Sequence, residues 1–158
     1  MLGMALYRAG RFQEALRELQ AYRRLTGRLD QNHLIADSHR ALGAPDKALE
    51  AARAALHARV PEEAKAEAAI VGAAALGDMG RFDEGIGLLK THASHQRDGG
   101  AGEEDLRMWY AMGDLLERAG RRTEAAVEFR RVLRHDPAAF DAAERLADLV
   151  LNVAAISP

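Results

Sequence analysis

The chain has 158 residues, six histidines, no cysteine and a formal charge of −2; 48% of it is apolar, 29% charged and only 5% aromatic. This balance excludes a disordered or membrane-embedded chain and a large basic footprint for nucleic acid, while the missing cysteine excludes disulfides and thiolate chemistry. No run approaches the roughly 18 apolar residues of a membrane span, and the opening MLGMALYRAG gains charge too early for a signal peptide, so a cytoplasmic protein is expected.

Strand signals are nearly absent and helical spacing is continuous. Read in chain order, helices are expected over about 1–9, 12–26, 30–42, 46–59, 62–79, 82–96, 103–119, 122–135 and 138–155. Pro61 is placed in the first turn of its helix, where its missing N–H is harmless. Asp136-Pro137 closes the eighth helix and starts the ninth. The stretch DGGAG, Asp98 to Gly102, reads as the one flexible linker.

One phrase recurs between these helices: RAGRFQEAL, RALGAPDKAL, DMGRFDEGI and RAGRRTEAAV. Gly10, Gly43, Gly80 and Gly120 each sit where a left-handed residue can end a helix, and each is followed five residues later by Ala15, Ala48, Gly85 or Ala125. Small residues at Gly3, Ala36, Ala73 and Gly113 face them from the preceding helix. The spacing between the turn glycines is 33, 37 and 40 residues. A unit of this length buries its apolar face by stacking on a neighbour.

The fullest copy runs Trp109, Met112-Gly113, Leu116, Gly120, Ala125, Phe129, Val132 and Pro137. The others are sparser: Leu2-Gly3, Leu6, Gly10, Phe12, Ala15, Leu19 and Tyr22; Ile35-Ala36, His39, Gly43, Ala48, Ala52 and Ala55; Gly72-Ala73, Leu76, Gly80, Phe82, Gly85 and Leu89. On these residues the chain resembles the tetratricopeptide repeat. The resemblance implies an all-α, right-handed α-solenoid of about four helix-turn-helix repeats (about 1–28, 29–61, 62–97 and 103–137) with a capping helix over 138–155, forming a single domain. Trp109 is then a ring wedged between paired helices.

The final helix keeps the next unit's phase with Leu146-Ala147 and Val150, yet Leu149, Val150, Leu151, Val153 and Ile156 wrap most of its circumference. A cap should have a polar outer face. Both ends therefore read as cut from a longer array, completed by another chain, or frayed in solvent.

Catalytic constellations find little support. Ser38 and His39 point about 100° apart on a helix and cannot pair as nucleophile and base. His92 and His95 share a helical face, but no third ligand stands at motif spacing, and no metal or cofactor is expected. DGGAGE lacks the lysine and hydroxyl of a phosphate-binding loop.

In tetratricopeptide arrays the first helix of each unit lines a groove that holds peptides or partner helices. Carried over, the lining positions are Met4 and Tyr7; His33, Asp37 and Arg40; Glu67, Ile70 and Ala74; and Arg107, Tyr110, Asp114 and Glu117, with Asp141, Glu144 and Asp148 from the last helix. The subgroup that clamps chaperone C-terminal carboxylates uses lysines and asparagines. His33, Asp37, Ile70, Ala74 and Arg107 are a poor substitute, so no such binding is expected. Toward the C-terminus Asp114, Glu117, Asp141, Glu144 and Asp148 outweigh Arg107 and Arg118, which favours a basic guest. The expectation is a non-catalytic, bacterial interaction module for a protein or peptide, binding neither nucleic acid nor membrane. A homodimerising module and a peptide-sensing regulatory domain of a larger protein stand as alternatives.

Overall fold

The computed structural model describes residues 1–93 and 101–156, the side chains of 153–156 excepted. Its helices are α1 (Leu2–Arg8), α2 (Phe12–Thr26), α3 (Asn32–Ala41), α4 (Pro45–Leu56), α5 (Glu62–Asp78), α6 (Phe82–His92), α7 (Glu103–Arg118), α8 (Arg122–His135) and α9 (Ala142–Ile156). Among the described residues there is no strand. Each helix packs on the next in sequence, and α1, α3, α5 and α7 also touch one another in succession. The even-numbered helices make no comparable mutual contact among the described residues. The result is a repeat solenoid with an inner layer of odd helices and an outer layer of even ones.

The turn glycines work as their position demands. Gly10, Gly43, Gly80 and Gly120 have φ between 73° and 77°. At each, the glycine N–H and the next N–H bond back to carbonyls three and five residues earlier, as Gly10 to Tyr7 and Arg11 to Leu6 at 2.9 Å. This paired cap satisfies carbonyls that a helix end otherwise leaves open. Three of the turns also carry a local Arg–Glu fork, Arg11–Glu14, Arg81–Glu84 and Arg121–Glu124.

Close approach inside each hairpin explains the small residues. A Cβ on Gly3 would stand 2.9 Å from Leu19, and one on Gly113 would stand 2.8 Å from the Phe129 ring. Ala15, Ala36, Ala48 and Ala125 are fully buried and Ala73 nearly so. Trp109 is 7% exposed, locked within its own hairpin by the His135 ring at 5.2 Å and the Arg131 guanidinium at 4.1 Å.

Helix α5 is the spine. Ala64, Ala68, Ala69, Val71, Gly72, Ala73, Ala75, Leu76 and Gly77 are all buried along it. This broad apolar surface packs on both neighbours and leaves Glu63, Glu67, Ile70 and Ala74 to line the inner face. Ala69 and Ala73 join the C-terminal core with Leu89, Leu115 and Phe129, whereas Val71, Ala75 and Leu76 join the N-terminal core with Leu19, Ile35 and Leu49.

Several boundaries differ from the sequence reading: α4 ends at Leu56 and α6 at His92, earlier than expected. Pro61 precedes α5 as its N-cap, and Pro45 is the proline that opens a helix. Helix α9 starts at Ala142, not at residue 138. After Asp136, whose backbone is extended, the chain turns through Ala139 to Asp136 and Ala138 N–H to Asp136 Oδ1, then passes Phe140 at φ 54°. The linker residues 98–100, His95 and the side chains of Val153 and Ile156 lie outside the described residues.

Gly85 and Gly87 lie two apart on α6 and should answer oppositely to alanine. A Cβ on Gly85 would stand 2.7 Å from Leu115 Cδ2 and 3.0 Å from the Ala73 carbonyl, whereas one on Gly87 meets nothing within 4 Å. Gly85→Ala is expected to cost about 1 kcal/mol net of helix propensity and to lower the thermal midpoint by about 3 °C. Gly87→Ala should stabilise by roughly 0.5–1 kcal/mol. Thermal unfolding followed by circular dichroism checks both.

Candidate functional site

The inner layer encloses a cleft of about 1060 Å³. Met4 and Tyr7 of α1, His33, Asp37 and Arg40 of α3, Glu67, Ile70 and Ala74 of α5 and Arg107 of α7 all line it. Tyr110 and Asp114 fall instead in an adjoining depression of about 350 Å³, which shares Ile70, Ala74 and Arg107 with the cleft and adds Ala73, Ala111, Leu115 and Phe140. Glu117 and Asp141 reach this region through hydrogen bonds to Arg145 and Tyr110, while Glu144 and Asp148 stand exposed on α9.

Most of the charged lining is also bracing. Tyr7 donates to Asp37 at 2.5 Å, joining α1 to α3. Asp78, at the end of α5, accepts from Arg40 of α3 at 2.7 Å and from Arg118 of α7 at 2.8 Å. Arg107 donates to Glu67 at 2.7 Å. Tyr110 donates to Asp141 at 2.5 Å, repeating the Tyr7–Asp37 arrangement. Arg145 of α9 meets Asp114 at 2.9 Å and Glu117 at 2.5 Å, its guanidinium lying 4.9 Å from the Phe129 ring. These pairs run from one inner helix to the next, so the wall of the groove is tied across its units. Networks of this kind hold better than isolated surface pairs.

The titration of these groups follows their surroundings. Burial raises the Tyr7 hydroxyl well above its ordinary value, and its bond to Asp37 adds to the rise. Burial lowers His33 below its ordinary value, and Arg107 acts in the same direction. Glu67 is pushed up by burial against the pull of Arg107. Asp78 goes the other way. Burial would raise it, but the hydrogen bonds from Arg40 and Arg118 outweigh that and hold it below the ordinary range.

One expectation needs correcting. The C-terminal end of the groove is not a free acidic surface, because Arg145 sits among Asp114, Glu117 and the Tyr110 hydroxyl. The excess of carboxylates lies in the large cleft, where Asp30, Asp37, Glu63, Glu67, Glu103, Glu104 and Asp105 face Arg8, Arg40 and Arg107. Sequence reasoning passed over Arg145, Asp78 and Phe140. The alternation of Arg40, Asp78 and Arg118 near the turn glycines was readable once the units were aligned. Phe140 had no such signal, since its place depends on a turn that replaces the expected helix.

Among the described residues no three histidine, aspartate or glutamate side chains gather as a metal site requires. Ser38 donates to the Leu34 carbonyl at 2.7 Å and is fully buried. No helix there is long and apolar enough to cross a membrane.

Asp78 offers a direct check on the bracing. Its depressed value means its contribution is present above the unfolded carboxylate range and lost as pH falls through the folded value. Asp78→Asn is expected to cost about 1 kcal/mol at neutral pH, with the gap to wild type closing as the pH drops below about 4. Urea unfolding across that range measures it.

Comparison with known proteins agrees with the geometry. Residues 106–149 match the family model described as tetratricopeptide repeat. No curated protein matches the sequence. Among solved structures, the putative kinesin light chain of Podosopora anserina, with nearly identical TPR-like repeats, aligns at 18% identity and a TM-score of 0.71. It covers 98% of this chain and 85% of its own. A variant of the same protein aligns equally, with 84% of its chain covered. Residues 106–149 thus carry the tetratricopeptide-repeat sequence pattern, and the fold of the described residues is that of a TPR-like helical solenoid.

Proposed function

We propose that the inner cleft is a docking surface for a segment of a partner protein, that a net basic segment fits it best, and that no chemical transformation follows. Tetratricopeptide repeats generally mediate protein–protein interaction. The observation that carries the finer reading is the carboxylate excess gathered on the walls of the cleft from α3, α5 and α7. The inner helices are already braced, so a guest would meet a preformed face and lose little to ordering it. Capture of a free C-terminal carboxylate gains no support, because Arg40 and Arg107 are engaged by Asp78 and Glu67.

A fluorescein-labelled peptide of alternating arginine and glycine tests this by anisotropy. Affinity is expected to fall at least about tenfold between about 50 mM and about 500 mM salt. Glu103→Lys with Glu104→Lys should weaken binding by about fivefold or more, while Glu18→Lys on the outer helix α2 should leave it unchanged. Equal losses from inner and outer variants would contradict docking in the cleft.

A second reading rests on α9. Val150 is 48% and Leu151 67% exposed, and Ala147 is exposed too. In α7 the corresponding positions, Gly113 and Leu116, are covered by the helix that follows. An uncovered face of this kind suits a second copy of the chain. Sedimentation velocity should then show a concentration-dependent dimer that Leu151→Glu abolishes; a monomer at every concentration removes this reading.

A further inference from the structure

We propose that the depression beside the cleft is an anchor pocket that seats one bulky apolar side chain of the docked basic segment, and that Phe140 is its specificity-determining wall. The proposal rests on the docking reading above and adds to it what the guest must carry. At about 350 Å³ the depression stands at the small end of ligand pockets, which run roughly 300–1,000 Å³. Its lining is mostly apolar: Ile70, Ala73 and Ala74 of α5, Tyr110, Ala111 and Leu115 of α7, and Phe140. Arg107 and Asp114 are its charged members, held by Glu67 and Arg145. A mostly apolar socket with a few charged members is the composition of a binding hot spot.

Phe140 is held in a backbone shape that its exposed position would not by itself require. Its backbone has φ 54°, a conformation that non-glycine residues rarely adopt and that costs about 1 kcal/mol or more. Its neighbours Ala139 and Ala142 are buried, while the Phe140 ring is 53% exposed. The turn that imposes this shape is held from outside the ring, by Ala138 N–H on Asp136 and by Asp141 on the Tyr110 hydroxyl. The ring is thereby set 4.7 Å from that of Tyr110, and the two aromatics form one wall.

Charge and continuity name the occupant. Ile70, Ala74 and Arg107 border both spaces, so a chain lying along the acidic cleft passes the mouth of the pocket. A basic segment with a single leucine or phenylalanine satisfies both at once.

Three labelled arginine–glycine peptides, carrying one central leucine, phenylalanine or alanine, test this by anisotropy. The leucine and phenylalanine peptides should bind about tenfold or more tighter than the alanine peptide, the gain expected from burying one such side chain. Phe140→Asn, which suits the positive φ, and Ala111→Phe, which fills the socket from a wall that the cleft does not share, should each erase that preference. Both should leave the salt-dependent binding of the alanine peptide within about twofold and the fold intact by circular dichroism. Equal affinity for the three peptides, with salt dependence retained, overturns the pocket and leaves docking in the cleft standing. A leucine preference that survives both variants also overturns it, because the side chain is then seated elsewhere. Failure of all three peptides to bind at low salt overturns the docking reading and the pocket with it.

Discussion

The distance between the two helices of each hairpin is the constraint on which the rest depends. Where a glycine or alanine faces a leucine or phenylalanine, the helices meet so closely that an added methyl has no room, as at Gly3 against Leu19 and Gly113 against Phe129. Interiors packed at this density do not deform gradually. A rigid hairpin stacked on the next sets the rotation per unit, and repetition turns that rotation into curvature. The inner helices then share one face. The groove follows from this packing.

On the proposed function, that inner face would serve two purposes with one set of side chains. Asp78 joins α3, α5 and α7 through Arg40 and Arg118, and Arg145 fastens α9 to α7. These charges lie where a guest would dock, but most are spent on bracing. A carboxylate already held by an arginine attracts a cation less than its formal charge suggests. The apparent acidity of the C-terminal end, read from Asp114 and Glu117, is therefore reduced by Arg145. The large cleft, with fewer arginines for its carboxylates, keeps its field. On the proposed function, steering by charge and anchoring by one apolar side chain would fall to neighbouring parts of a continuous surface.

Fold was legible in the sequence because its determinants are local and repeat. A turn glycine, a small residue five later and apolar residues at helical spacing are visible in each unit, and alignment of the units reinforces a weak signal. The lining positions were legible for the same reason, since a fixed phase on α1, α3, α5 and α7 points inward. What escaped was whatever lies between units. Arg145 pairs with Glu117 across 28 residues and Arg107 with Glu67 across 40, and no periodicity within one helix announces such a partner. The last hairpin was misread at Pro137. Proline was taken to open the ninth helix at once, but the Asp136 side chain captured the Ala138 N–H and a short turn formed instead. That turn put Phe140 on the rim of the groove.

The most direct test is amide chemical-shift mapping of the isotope-labelled chain, saturated with an arginine–glycine peptide bearing one leucine. Shifts confined to α1, α3, α5 and α7, with the Phe140 turn, are the predicted result. Shifts concentrated on α2, α4, α6 and α8, with the inner helices silent, would contradict a solenoid that works through its inner face.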